Sequence, residues 1–416
     1  MASKAINAAQ PAKQGVTFGL VALLTALMFI NYADRGSLSV AAPLLKDALQ
    51  IDSAQMGVLL SAFFWSYALA QPIAGHFSQR YNVKWVLAIG LIIWAGATLL
   101  CGFATGFASL LLLRVVMGVG ESVIFPANAH IFAEHAPNHQ RGRYNAIISM
   151  GTFLGPSAGT LVGGLILASY GWQAVFIGLG ALSLLWLIPL ALTPFPKSSH
   201  GTGKASATSA GAPSYAAIMS QRSFWGIALG QFCYAYSLYL FLTWMPLFLV
   251  QGENFSLTDM AWIGGIVMAC KALGSILSGT LSDWFIHRGG DTTRVRKCFM
   301  VGGMALCALM LALTGIAPHD LVPYALSAAA FFSGAQSPMV FTVGQTLAGP
   351  QAGGRWMGMQ NLIGNLAGIA APIATGFIVQ ETGSFRWAFL VAAALSVVGL
   401  FFWGFVVGRI EPARWS

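Results

Sequence analysis

Five ionisable side chains stand inside long apolar stretches of this sequence. Asp34 and Arg35 are neighbours in INYADRGSLSV, Arg114 and Glu121 lie in LLRVVMGVGESV, and Lys271 stands alone in IVMACKALGSIL. A charged group is costly in apolar surroundings, so such residues are candidates for function by default. Four of the five belong to two stretches, which predicts that these four share one site.

The neighbours Asp34 and Arg35 must face different partners, because successive residues of a helix point about 100° apart. Arg35 carries a planar, permanently charged guanidinium that suits a carboxylate ligand. Tyr32, three residues earlier, can share its helix face. A carboxyl such as Asp34 can be held neutral by desolvation, as a proton carrier requires. A purely structural Asp34–Arg35 pair is the alternative, and the sequence leaves it open.

Arg114 and Glu121 share one helix face, because seven residues make about two turns, or roughly 10 Å. One hypothesis is that Arg114 interacts with Asp34 while Glu121 takes and releases protons. The alternative is a structural network that includes Asp34. Gly118 and Gly120, between the two charges, leave room for a neighbouring helix or a water path.

Neutral polar groups also cluster in the apolar stretches, where they can hydrogen-bond across helices. Their number in so apolar a chain suggests a ligand rich in hydroxyl groups. Lys271 could attract an anion or extend its ammonium to an interface, and the sequence does not decide between these. The neutral residues are Tyr67, Gln231, Tyr234, Tyr236, Tyr239, Gln336, Ser337, Asn361 and Asn365.

The elements that position these residues are membrane-spanning helices. The chain has 416 residues, of which 57% are hydrophobic and only 8% charged, and this excludes an ordinary soluble protein. A spanning helix needs about 20 mainly apolar residues. Twelve such helices are predicted near 16–44, 55–78, 84–104, 106–130, 143–168, 172–193, 222–250, 258–282, 297–316, 320–346, 356–380 and 385–408.

The net charge of +9 is a topology signal and does not indicate a nucleic-acid-binding surface. Acidic residues dominate the intervening loops, and this pattern places both termini on the cytoplasmic side of the membrane, which we expect to be a bacterial inner membrane. The basic residues of the alternate loops and termini are Lys4, Lys13, Arg80, Lys84, Arg141, Arg143, Lys197, Lys204, Arg222, Arg288, Arg294, Arg296, Lys297, Arg355, Arg409 and Arg414.

The sequence repeats itself once. GHFSQRYNVKW matches GTLSDWFIHRG, RGRYNAI matches GGRWMGM, and GWQAVF matches SFRWAF, in the same order in each half. A Ser-, Gly- and Ala-rich segment separates the halves and has little to bury. We therefore predict six-helix bundles at 1–193 and 222–416 with a cytoplasmic linker at 194–221. Parallel repeats with a ligand site between them are a transporter architecture.

These residues resemble the major facilitator superfamily, in its two halves, its GHFSQRYNVK and GTLSDWFIHR loops and its long linker. Within it, NYADR, RVVMGVGES and GQFCYAYSLYLFLTWMP resemble the anion:cation symporter family, which includes bacterial galactonate, glucarate and hexuronate transporters. The resemblance implies the major facilitator fold, twelve transmembrane helices in two pseudo-symmetric bundles. One position departs from it: the first loop has Gln79 where the family usually has an aspartate, whereas the second keeps Asp283.

The resemblance also implies roles for single residues. Arg35 would bind the substrate carboxylate, Asp34 and Glu121 would be the protonatable pair, and Arg114 would hold Asp34 between steps. The residues that would contact substrate hydroxyls are Tyr32, Tyr67, Gln231 and Asn361.

We therefore expect a proton-coupled symporter that imports a sugar acid by alternating access. The open alternative is another carboxylate, such as an aromatic acid or a dicarboxylate. A channel fits six-plus-six repeats with titratable pairs less well, and an enzyme would need a His or Cys constellation that the chain lacks. The five cysteines show no ligand spacing, so we expect no metal. We expect no cofactor besides the coupling proton, and a monomer whose partners are the bilayer and a small carboxylate.

Overall fold

The computed structural model describes residues 17–136, 138–195 and 213–413, and these residues form helices without any strand. We label twelve long helices in chain order. They are α1 (Phe18–Ala48), α2 (Ser53–Arg80), α3 (Val83–Cys101), α4 (107–135), α5 (138–170), α6 (172–192), α7 (Arg222–Gly252), α8 (Leu257–His287), α9 (Thr292–Thr314), α10 (322–348), α11 (350–382) and α12 (Arg386–Val406).

Ten stretches of the described chain are long and apolar enough to cross a membrane. One of them, Ile147–Leu192, covers most of α5 and all of α6, which are separate helices because Gly171 interrupts the chain with φ 81°. A second glycine with positive φ, Gly349, separates α10 from α11 in the same way. These two glycines account for the sharp reversals there, and the predicted all-α membrane fold is confirmed.

Several helices begin earlier than predicted. α5 begins at 138, α9 at Thr292 and α11 at 350, each about five residues before the apolar stretch. The expectation that the basic residues stand in loops is therefore wrong for some of them, which lie within the first or last two turns of helices instead. A helix can begin wherever its first backbone N–H groups find hydrogen-bond acceptors, whether or not its side chains are apolar. At α9 the Asp291 carboxylate caps the helix by accepting a hydrogen bond from Arg294 N. The basic residues placed on helices are Arg80, Lys84, Arg141, Arg143, Arg222, Arg294, Arg296, Lys297 and Arg355.

The helix ends define two sides of the bundle. We call the side on which α1 begins and α12 ends the basic side, since it carries Arg80, Lys84 and Arg288. The other side, with Asp52 and Glu381, is the acidic side. Lys4, Lys13, Lys197, Lys204 and Arg414, which also entered the charge argument, lie outside the described residues, as does the side chain of Gln79.

The two sequence halves are joined on the acidic side. α2 and α11 touch backbone to backbone there, and a Cβ on Gly57 would lie 3.2 Å from Gly376 Cα. Within the described residues, five hydrogen bonds cross between the halves, and all of them lie toward the acidic ends of the helices. They join Ser39 to Thr243, Lys46 to Gln251, Gln251 to Pro43, Ser53 to Gln380 and Ser157 to Gly265.

The predicted linker is described only in part. Residues 196–212 of the range 194–221 lie outside the described residues, and a short helix, Tyr215–Met219, precedes α7. The domain boundaries at 193 and 222 therefore stay a prediction.

Candidate functional site

A glycine stripe on α5 orients the charged end of α1. A Cβ on Gly155 would lie 2.8 Å from Tyr32 Cβ, and one on Gly159 would lie 2.6 Å from Ala33 O. Small residues at this spacing let two membrane helices approach backbone to backbone. Because this face of α1 is pressed against α5, the next two residues, Asp34 and Arg35, are left to face α3 and α4.

Helix interruptions stand beside two of the charges. The first segment of α1 ends at Arg35, and a new segment starts after Gly36. The first segment of α4 ends at Glu121, and the helix resumes at Ile124. Discontinuous helices of this kind form the binding sites of many transporters.

Arg35 and Glu121 form a buried ion pair. Arg35 Nε and Nη2 donate to the same oxygen, Glu121 Oε2, at 3.1 and 2.9 Å. The side chains are only 7% and 0% exposed. The second oxygen, Oε1, is buried and accepts no hydrogen bond of good geometry, and the amide of Asn31 lies close to this carboxylate. The pair therefore leaves half of the carboxylate unused.

Three aromatic rings surround the Arg35 guanidinium. Its central carbon lies 4.5 Å from the ring centre of Tyr32 and 4.8 Å from those of Phe63 and Tyr67. Ring faces attract a cation within about 6 Å, and more strongly when water is excluded. Tyr32 and Tyr67 were predicted to belong to this site, whereas Phe63 was missed because nothing separates it from other apolar residues in the sequence.

Asp34 faces away from Arg35, as the helix geometry predicts. Its Oδ2 accepts a hydrogen bond of 2.9 Å from Thr98 on α3, and its buried Oδ1 has no partner. The sequence analysis missed Thr98, since a lone threonine in an apolar span gives no signal of its own.

Arg114 lies in the same buried region but makes no ion pair with Asp34 among the described residues. Its Nη1 contacts Met117 Sδ at 3.2 Å, and its buried Nε has no partner. An electrostatic interaction connects it with Asp34. The proposed holding of Asp34 by Arg114 therefore stays a prediction about another step of the cycle.

The glycines between Arg114 and Glu121 make room for neighbouring helices. A Cβ on Gly118 would lie 3.1 Å from Tyr67 N on α2, and one on Gly120 would lie 2.6 Å from Trp94 N on α3. Of the two uses open from the sequence, close helix packing is the one these glycines serve here.

The second half contributes a network of amides. Gln360 Nε2 donates to Gln231 Oε1 at 2.7 Å, and Gln231 Nε2 donates to Asn361 Oδ1 at 3.4 Å. Trp356 Nε1 donates to Gln360 Oε1 at 3.1 Å. Gln231 and Asn361 were predicted, but the fully buried Gln360 was missed. Its position next to Asn361 in an apolar stretch was the available signal.

Tyrosines connect the two halves. Tyr239 on α7 donates to Asn365 at 2.9 Å, and its ring centre lies 4.6 Å from that of Phe64 on α2. Lys271 on α8 donates to the hydroxyl of Tyr234 at 3.3 Å. The structure thus brings the residues of the first half together around Arg35 and those of the second half around Gln231.

The chain is similar to known membrane transport proteins. The sequence profile of the Major Facilitator Superfamily matches residues 24–372 and 290–416. A protein named "Probable galactarate/D-glucarate transporter" in Bacillus subtilis is 28% identical over 96% of this chain and 93% of its own. One named "Probable sulfoacetate transporter" in Cupriavidus necator is 30% identical over 91% of each chain.

Solved structures share the fold. A bacterial homolog of the human lysosomal transporter Spinster, in an inward-facing and unoccupied conformation, superimposes with a TM-score of 0.78 at 21% identity, covering 93% of this chain and 96% of its own. A D-xylose-proton symporter gives 0.77 at 14% identity, covering 95% and 98%. The profile spans most of the residues that form the twelve helices and the buried charges. This chain belongs to the Major Facilitator Superfamily, and the relatives named here are transporters.

Proposed function

We propose that this protein is a proton-coupled symporter that imports a sugar acid of the hexonate, hexuronate or glucarate type by alternating access. The proposal rests on the buried Arg35–Glu121 pair, in which the carboxylate of Glu121 binds the guanidinium of Arg35. A substrate carboxylate has the same chemistry as the Glu121 side chain and can take its place.

Proton coupling follows from that competition. Glu121 Oε1 has no hydrogen-bond partner, so a proton can bind there while Oε2 still faces Arg35. A neutral carboxyl holds a guanidinium far more weakly than a carboxylate does. Protonation of Glu121 therefore frees Arg35 for the substrate, and the two ligands bind together.

Asp34 is the second proton site of the proposal. One of its oxygens is bonded to Thr98 and the other is free. Arg114, which interacts with it electrostatically, would hold the charged form in the step when no proton is bound. Substrate hydroxyls would then contact Tyr32, Tyr67, Gln231 and Asn361, which flank Arg35 and the amide network.

The cellular setting belongs to the same proposal. The positive-inside rule makes the basic side cytoplasmic, and it places the protein in the bacterial inner membrane with both termini inside. The hydrogen bonds between the halves would then close the periplasmic side, so the described conformation would face inward. In this proposal the protein works as a monomer, H⁺ is its coupling ion, and it uses no metal or organic cofactor.

Uptake into proteoliposomes tests the function. Galactarate, glucarate, galactonate and hexuronates would be offered with and without an inwardly directed proton gradient. We expect gradient-driven accumulation of at least one of them. Accumulation that ignores the gradient would contradict proton coupling, and countertransport by preloaded substrate would distinguish a carrier from a channel.

Glu121→Gln isolates the proton step. This variant should lose gradient-driven accumulation and retain exchange of internal for external substrate, because the amide can neither take up nor release the proton. The matched control is Glu381→Gln, the same change at an exposed carboxylate on the acidic side. Full accumulation by Glu121→Gln would refute its role.

A different anion is the second candidate. The relative named for sulfoacetate is as similar to this chain as those named for galactarate and glucarate. The three rings around Arg35 would also accept an aromatic acid. Sulfoacetate and an aromatic acid therefore belong in the uptake panel.

A further inference from the structure

Lys271 is a cation without an acidic partner. Among the described residues no carboxylate lies within ion-pair distance of it. Its ammonium donates to Tyr234 Oη at 3.3 Å and lies 5.5 Å from the centre of the same ring. An ammonium has three donors, so at least two of them remain for another group.

The position of Lys271 excludes the interfacial alternative. α8 runs from Leu257 to His287, and Lys271 lies near its middle. At 1.5 Å per residue it is about 20 Å from either end of the helix. A lysine side chain is far shorter than that, so it cannot carry its ammonium to a membrane surface, and its hydrogen bond to the buried Tyr234 directs it into the bundle.

That interior is shared with Arg35. Tyr234, which receives the lysine hydrogen bond, lies in the same buried region as Tyr32 and Tyr239. Tyr32 stacks against Arg35 at 4.5 Å. Lys271 and Arg35 therefore flank one group of tyrosines from opposite halves of the molecule.

Charge balance distinguishes the two cations. Arg35 is neutralised by Glu121 in the empty site, whereas nothing in the described chain neutralises Lys271. When Glu121 takes a proton, both cations need an anion. A substrate with one acidic group can satisfy only one of them, and a substrate with two can satisfy both.

We infer that Lys271 is a substrate-binding residue for a second acidic group, and that the preferred substrate is a hydroxylated dicarboxylate of the hexarate class. One carboxylate would bind Arg35 and the other Lys271. The amide N–H groups of Asn361 and Asn365, whose oxygens are already engaged, would donate to the hydroxyls between them. This inference rests on the proposed function and narrows it to the dianionic sugar acids.

Galactarate and galactonate test the inference as a matched pair, because they differ only in the carboxylate or hydroxymethyl group at C6. Their affinities for the purified protein would be measured by calorimetry. We expect the native protein to bind galactarate more tightly. Lys271→Met should weaken galactarate binding at least tenfold and change galactonate binding less than about threefold, since a buried charge-assisted contact is lost only for the former.

Two further variants serve as controls for the charge of Lys271 and for the substitution of a lysine by methionine. Lys271→Arg keeps the charge and should keep the preference for galactarate. Lys84→Met makes the same change at another half-buried lysine, whose ammonium binds the carbonyls of Ala191 and Thr193 at a helix end, and it should leave both affinities unchanged.

The outcomes separate this inference from the proposed function. Equal weakening of both acids by Lys271→Met, or no weakening of either, would overturn the inference. The proposed function would still stand after such a result, provided that the native protein transports galactonate with the proton gradient. Binding of neither acid by the native protein would overturn both.

Discussion

The first half of the site is charged and incompletely bonded, whereas the second half, apart from Lys271, is neutral and mostly bonded within itself. On α1 and α4, atoms of Asp34, Arg114 and Glu121 are buried without a hydrogen-bond partner. On α7 and α11, Gln231, Gln360 and Asn361 bond to one another. The two halves repeat one architecture but use it for different chemistry.

This difference teaches where a moving proton can act. A buried polar group without a partner costs free energy, so such groups concentrate attention on function. Each of the carboxylates of Asp34 and Glu121 has one such oxygen, and binding of a proton there would remove the buried charge. The amide network has no titratable member and stays bonded at any pH, so it can shape a binding surface without responding to the gradient.

The largest effect is expected at Arg35, which tests whether the charged first half binds the anion. Arg35→Ala removes the guanidinium that would bind the substrate carboxylate, and loss of one partner of such a buried charge pair costs about 2–5 kcal/mol. We expect substrate affinity to fall at least roughly 30-fold in a binding titration. The control is Arg288→Ala, an exposed arginine stacked on Trp284 at 4.1 Å. Unchanged affinity in Arg35→Ala would move the anion site elsewhere.

A smaller effect is expected at Thr98. Thr98→Val keeps the shape of the side chain but removes the hydrogen bond to Asp34 Oδ2, which favours the ionised carboxylate. Without it the proton is held to higher pH, so the alkaline limb of the uptake profile should move upward by about one pH unit. Thr314→Val, at a buried threonine bonded to Met310 O, is the control. An identical pH profile would show that Asp34 does not limit uptake.

The amide network should affect affinity without affecting coupling. Gln360→Met leaves Gln231 Oε1 without its donor, at a cost of about 1–3 kcal/mol that is divided between folding and binding. We expect KM to rise about three- to tenfold while the accumulation ratio at saturating substrate stays unchanged. Gln351→Met, at an exposed amide that begins α11, is the control. Loss of accumulation with normal KM would contradict the division of labour between the halves.

The smallest effect is expected at Tyr239. Tyr239→Phe removes the hydroxyl that donates to Asn365 and keeps the ring against Phe64. One neutral hydrogen bond contributes about 1 kcal/mol, so KM should change by less than about fivefold. Tyr324→Phe, at a tyrosine 73% exposed, is the control. A much larger change would mean that this hydroxyl contacts the substrate directly.

Most of the fold was predictable because membrane helices are recognisable as long apolar stretches of sequence. Apolar stretches and loop charges located twelve helices, and the interior charges on α1 and α4 indicated where the site lies. The predicted helix starts were wrong where a capping residue, and not hydropathy, decides where the helix begins. Asp291 is such a residue at α9. Thr98, Phe63 and Gln360 were missed because their types are common in apolar helices.

The sequence by itself determined the twelve helices, the repeat and the separation of Asp34 from Arg35 on neighbouring faces of α1, since composition and helical geometry decide these locally. Only the tertiary structure decided that Arg35 pairs with Glu121, that Thr98 bonds Asp34 and that Lys271 faces Tyr234. Those partners lie on different helices, and which helices meet depends on close approaches such as that of α1 on the α5 glycines. Such contacts depend on packing between distant segments, which periodicity along one segment cannot specify.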